Sequence, residues 1–450
     1  MRLATKIRRN NMISKSLALK VLNEALATGG DYAEIYLEEN DSQSVMLENG
    51  KVETSGTRRS YGAGIRILNQ LKSVYGYTSV LSAKSLTTLA HDLAASFTGT
   101  RKIEVKNIEK QRVKNTNPIV DHLTDVPVAD KVALLKECYA ITSSVDKRLV
   151  RIQDMFANNL KTIEIYSAEA EIGKQFENTE ERGRLVMVAA AVDNGKIETN
   201  FQGPGRYAGW HFFKDVLDWK KLARECGEKA ILFLDAKECP SGRFPVVITN
   251  GWGGVIFHEA CGHSLEATAT AKHLSVFSDS IGKQIANPIV SAFDDGTMPN
   301  EWGSNNIDSE GHVTQKNQLI KDGICVGFLV DKFNGRRLNM GRRVSLQEHL
   351  EIMTNKATSG KKTIYVFSKR ITLRKPYFTI NKNNISINSF LSYLSFAPLD
   401  EVKQNYSLLA NYIRSNQLSA NDVMKMATLF PAKTSTKLLA TDLYRSLWKH

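Results

Sequence analysis

A chain of 450 residues, 42% hydrophobic and 24% charged, is long enough for two or three domains with their own buried cores. It has no run approaching the roughly 18 apolar residues of a membrane-spanning helix, so no membrane association is expected. The net charge of +13 points towards nucleic acid only until it is mapped: residues 356–450 hold fifteen Lys/Arg against four Asp/Glu, which leaves +2 for residues 1–355. A nucleic-acid partner is therefore not expected of the main body.

Residues 1–11 form a basic leader, expected to be disordered, with no apolar stretch or cleavage site of a signal peptide behind it; Met12 is a second candidate start. Residues 14–27 place Leu17, Val21, Leu22, Ala25 and Leu26 on one helical face, ended by Gly29-Gly30. Strands are expected at 31–40 and 44–54, with Glu48-Asn49-Gly50 as turn chemistry, then at 58–69 and 72–80. Helices at 85–97 and 130–145 alternate with strand-like runs at 151–172 and 183–201, and 214–235 reads as one long helix. Hairpins mixed with helices favour an α+β fold over a doubly wound parallel sheet.

Pro240 and Gly242 lead into a strand at 244–248, the turn NGWGG, and a helix beginning near Val255. That helix carries His258-Glu259-Ala260-Cys261-Gly262-His263. In the commoner zinc motif the two histidines lie four apart, one turn, on one face. Five residues of a straight α-helix turn through about 500°, so the rings would diverge by roughly 140°. Both imidazoles can hold one ion only if the helix bends or takes up an extra residue in a π-bulge. Gly262, before the second histidine, is the residue type expected to permit that distortion. Two neutral imidazoles would leave positions on Zn²⁺ for a third ligand and a water, and Glu259 is placed to pass the water's proton to a leaving amine.

The run GGVIFHEACGHSLEA (253–267), with residues 275–311 and LVDKFNGRRLNMGRRVS (329–345), closely resembles the TldD/PmbA family of modulators of DNA gyrase, in its TldD-like metallopeptidase branch. The N-terminal runs GDYAEIYLEEN, ENGKVETSGTRRSYGAGIRILN and YGYTS resemble the same family, so the likeness covers about residues 12–355. It implies an N-terminal α/β domain of hairpins and helices (12–235), then a mainly β catalytic domain carrying the bent helix (236–355). It implies zinc peptidase activity on unfolded or extended peptides, with His258 and His263 as metal ligands and Glu259 as acid/base. It also implies a homologous partner subunit, in a hetero- or homodimer.

Residues 356–450 form a basic tail outside the likeness. Family members place a further zinc-ligating cysteine late in the chain, whereas here no cysteine follows Cys325. Glu266, His273, His312 and Cys325 are conceivable replacements, and Cys261 occupies a variable motif position. The competing expectation is a catalytically impaired or truncated relative acting as a non-catalytic interaction subunit. Five scattered cysteines with no CxxC pair fit reduced thiols, hence a cytoplasmic protein. The acidic turns at 294–296 and 305–310 lack the EF-hand pattern and read as β-turns.

Overall fold

The computed structural model describes residues 11–237, 241, 242 and 253–339, with the backbone alone of 350–354. The leader, the strand expected at 244–248 and the tail lie outside these residues.

Helix α1 (Lys15–Ala25) starts where the Ser14 side chain accepts the Leu17 N–H, and it buries Ala18, Val21, Leu22 and Ala25. Strands β1 (Tyr32–Glu48) and β2 (Lys51–Asn69) form a long antiparallel ribbon. Asn49 and Gly50 close it at φ values of 48° and 76°, the two-residue turn that their residue types favour. A side chain at Gly50 would fall 2.7 Å from the Tyr139 ring. The sequence suggests strand breaks near 41–43 and 55–57, yet both strands run straight through them. The reason is physical: polar side chains on both faces erase the two-residue apolar alternation, but ladder hydrogen bonds involve only the backbone.

Strand β3 (Lys72–Thr78), α2 (Ala83–Ala94) and β4 (Asn107–Lys110) follow. Then come α3 (Val128–Ser143), β5 (Leu149–Ala168), β6 (Ile172–Asp193), β7 (Lys196–Gln202) and β8 (Gly205–Arg206). The helix expected at 214–235 is shorter and has a separate π-turn before it, Phe212–Val216. Leu217 is extended, and α4 (Trp219–Leu234) begins where Asp218 accepts the Lys221 N–H. An Asp at the cap competes for the chain that a pure periodicity count would continue.

The first sheet runs β3-β2-β1-β5-β6-β4, with β7 and β8 also pairing β6. Its pairs are antiparallel except β4 with β6. Two apolar cores lie along it. One joins α1 and α2 to Ile35, Leu37, Ile65 and Ile67. The other joins α3 and α4 to Phe156, Leu185 and Met187.

The C-terminal part contains α5 (Gly253–Phe257), α6 (Ala267–Thr270), β9 (Val290–Asp295), β10 (Lys316–Lys321), β11 (Ile324–Cys325), α7 (Lys332–Leu338) and β12 (Leu350–Thr354). Its antiparallel sheet runs β11-β10-β9-β12. A third core, including Leu265, Ala292, Leu319, Phe328 and Val330, lies under the helical segment. The α+β class holds for both parts. The acidic turns are hydrogen-bonded loops: Asp295 accepts from the Thr297 N–H, and Asp308 from the Glu310 and His312 N–H groups.

Charged side chains bind the C-terminal part to the first sheet. Arg66 on β2 pairs with Glu34 at 2.7 Å and with Glu310. Arg182 on β6 donates to the Trp302 and Ser304 carbonyls, each at 2.8 Å. Arg336 on α7 reaches Asp31 at 2.7 Å. Such bridges cost little only when each charge is paired, as these are.

Asp154 on β5 is fully buried, and neither carboxylate oxygen has a hydrogen-bond partner. Burial pushes its pKa up to about 7. A carboxyl raised above its unfolded value contributes full stability below about pH 4, and that contribution is lost as pH rises towards 7. Asp154→Asn is therefore expected to stabilise the fold by about 2 kcal/mol at pH 8. In urea unfolding the gap between variant and parent should close as pH falls to about 4; a gap unchanged from pH 8 to 4 would contradict this.

Candidate metal centre

Helix α5 does not continue as an α-helix. Residues His258–Gly262 form a π-turn, closed by the His263 N–H donating to the His258 carbonyl, five residues back. A 3₁₀ turn, His263–Leu265, follows, and the chain becomes extended at Glu266. Because one turn now takes five residues, positions 258 and 263 fall on the same side. The two ring centroids are 4.3 Å apart at 68°. This is the distortion that the five-residue spacing demands.

Gly262 makes the turn in a way the sequence did not suggest. Its φ and ψ are −56° and −59°, ordinary right-handed values open to any residue. It is buried, and backbone freedom is not what the turn requires of it.

One donor atom from each of His258, Glu259 and His263 lies within 4.8 Å of the others. The Glu259 carboxylate stands 3.9 Å from His263 Nε2 and is 66% exposed. The end of the segment is fixed to the third core. The Ala267 N–H donates to the Leu329 carbonyl, the Leu329 N–H to the Leu265 carbonyl, and Ser275 Oγ to the Ser264 carbonyl.

Glu266 is not a third ligand in the described arrangement. The helix ends before it, so it does not share a face with His263 by helical spacing. Its Oε1 lies 2.6 Å from His263 Nδ1, and its Oε2 accepts from Thr268 Oγ1 at 3.1 Å. A carboxylate on Nδ1 holds the ring with Nε2 free to bind a metal, the usual outer partner of a ligating histidine. The residues fit a metal ion in this respect: two converging imidazoles, one oriented by an acid, beside a free-standing carboxylate. The signal in the sequence is an acid three residues after the second histidine.

The other conceivable donors do not group with these three. His273 is 74% exposed and faces Asp279 at 3.7 Å. His312 sits in the turn held by Asp308. Cys325 is fully buried, and Cys261 packs against the same apolar cluster, where burial pushes its thiol up to about 11. Among the described residues the only group of three or more His, Cys, Asp or Glu suited to a metal is His258, Glu259 and His263.

Known proteins share this chain's organisation. Residues 33–96 match the PmbA/TldA metallopeptidase domain 1, residues 121–234 the central domain, and residues 241–393 the C-terminal domain. The last match runs past residue 355, where the motif likeness stops. A metalloprotease TldD homolog of Buchnera aphidicola subsp. Schizaphis graminum is 30% identical over 358 residues, 77% of this chain and 73% of that protein. The Haemophilus influenzae homolog is 30% identical over 342 residues, 72% and 69% of the two chains. Among solved structures, a candidate modulator of DNA gyrase from Bacteroides thetaiotaomicron superposes with a TM-score of 0.61 at 15% identity, covering 76% of this chain and 77% of that one. TldE from Thermococcus kodakarensis gives 0.57 at 14% identity over 76% and 78%. Three matched domains in order, relatives at this identity and the shared fold lead to one conclusion: the chain belongs to the PmbA/TldD metallopeptidase family.

Proposed function

We propose that this protein is a zinc-dependent peptidase acting on unfolded or extended peptides, with His258 and His263 holding the metal. The observation that carries the proposal is the π-turn, which brings two histidines five residues apart onto one side beside Glu259. His258 and His263 would hold the zinc, which would supply a Lewis acid able to lower the pKa of water towards ~7. Glu259 takes the proton from the attacking water on its carboxylate and returns it to the leaving nitrogen. Glu266 keeps His263 in one tautomer and orientation through Nδ1.

We propose a homologous subunit as the partner, in a homo- or heterodimer, and the cytoplasm as the compartment. All four described cysteines are free thiols, which suits a reducing environment. No helix among the described residues is long and apolar enough to cross a membrane.

Cleavage of a flexible, quenched fluorescent peptide by the full chain is expected to stop with a chelator and return with Zn²⁺. Glu259→Gln is expected to lower kcat by about 10²–10⁴ while the zinc content stays at the parent value. Cleavage unaffected by that substitution would remove Glu259 from the mechanism. A purified chain with neither zinc nor cleavage would instead favour the non-catalytic subunit.

Glu266→Ala is expected to weaken zinc affinity by about 10–100-fold in competition with a chromogenic chelator, because His263 loses its orienting partner. Unchanged affinity would show that the Glu266–His263 hydrogen bond has no part in metal binding.

A further inference from the structure

The first sheet has an open groove of about 510 Å³ on the face away from α3. Strand register explains it. Arg58, Ser42, Asn159 and Arg182 stand in one row across β2, β1, β5 and β6, and Gly56, Ser44, Ala157 and Arg184 in the next row on the same face. Small side chains in the middle of both rows form the floor, and the arginines rise at either end.

The far wall is built by the C-terminal loop, and Arg182 holds that loop in place. Its guanidinium pairs with Glu180 at 2.5 Å and donates to the Trp302 and Ser304 carbonyls. The Trp302 ring lies against Gly205, where a Cβ would come within 2.6 Å of it. Arg184 lies near the rings of Trp302 and Phe201, at 5.8 and 5.9 Å to their centroids, and its Nε donates to the Gly203 carbonyl.

Charge is what sets the groove apart. Among the described residues it is lined by three arginines and no Asp or Glu. Among the described residues neither Arg58 nor Arg184 has an ion-pair partner, although neighbouring Arg59 and Arg182 do. Lys131 lies behind the same strands, 2% exposed, bonded to Gln43 and Asn158, with the buried Glu181 carboxylate acting on its charge. With Glu180 offsetting Arg182 and Glu181 acting on Lys131, Arg58 and Arg184 are what give the groove its positive charge, in a body whose residues 1–355 carry only +2.

We infer that this groove binds a short acidic peptide in extended form, its carboxylates meeting Arg58 at one end and Arg184 at the other. Three strand spacings and a two-residue offset put the two arginine backbones roughly 15 Å apart, too far for one small anion and close to the length of four or five extended residues. Guanidinium groups receive carboxylates in two parallel hydrogen bonds. Trp302 offers an apolar surface to the stems of the bound side chains. The choice of a peptide rests on the peptidase reading; the preference for negative charge rests on the groove alone.

The test measures binding, not turnover. A fluorescein-labelled octapeptide of alternating Glu and Ala is titrated with the full chain by anisotropy, with chelator present, beside its Gln counterpart. A missing or dead metal centre leaves this reading untouched, and failure here leaves the peptidase reading standing. The Glu peptide should bind at least about 10-fold tighter than the Gln peptide at low salt, with the difference shrinking as salt rises. Arg184→Gln and Arg58→Gln should each weaken the Glu peptide by about 5-fold or more and leave the Gln peptide unchanged, with Arg58→Lys, which keeps the charge but not the two parallel hydrogen bonds, recovering only part of the binding. Arg58 is exposed on the sheet surface, so its variants test the groove without disturbing a core. Equal binding of both peptides, indifference to both arginine substitutions, or displacement by millimolar inorganic phosphate or a nucleotide would overturn the inference.

Discussion

The site depends on one hydrogen bond, from the His263 N–H to the His258 carbonyl five residues earlier. With an ordinary four-residue bond the rings would point well over 100° apart and Glu259 would stand beside a single imidazole. With it, the three side chains converge. A π-turn is rare and less favourable than α-helix, so it persists only where surrounding contacts hold it. Here they are the apolar cluster beneath, which receives Phe257, Cys261 and Leu265, and the strand-like Leu329 segment that pairs with the chain leaving the turn.

The same logic extends outward. The segment around Leu329 leads into α7, whose Arg336 pairs with Asp31 beside the start of β1. Glu310 accepts from Arg66 and from the Lys332 N–H, so it joins β2 to the start of α7. Arg182 ties the Trp302 loop to β6. The segment His258–Leu265 is thus short and irregular, but it rests on a C-terminal part fastened to a large sheet at several points. A rigid scaffold carrying an irregular functional segment is a common division of labour.

Much of this is legible in the sequence, for identifiable reasons. The α1 and α2 helices follow from apolar spacing, and the Asn49-Gly50 hairpin from two residue types that tolerate positive φ. The five-residue histidine spacing requires a local distortion by geometry alone, and the distortion is present. What periodicity could not reveal is where polar stretches continue as strand, as at Ser42 and Thr57, because backbone pairing leaves no trace in side-chain type. Nor could it place Glu266, whose position beside His263 follows from the chain becoming extended after the 3₁₀ turn. The basic groove is hidden for a similar reason. Arg58 and Arg184 are 126 positions apart in the chain and come to line opposite ends of one groove only through the register of four strands. Asp154, an unpartnered acid within an apolar core, runs against the composition rules that place charged residues at the surface.

Whether both imidazoles of the π-turn bind one metal ion is the question on which the proposed chemistry turns. Zinc K-edge X-ray absorption on the purified full chain, compared with His258→Ala and His263→Ala, tests it most directly. The expected result is about one zinc per chain, with two imidazole nitrogens at ~2.0–2.1 Å in its coordination shell and one of them lost in each variant. Zinc whose spectrum shows fewer than two imidazoles, or is unchanged by either substitution, would contradict it.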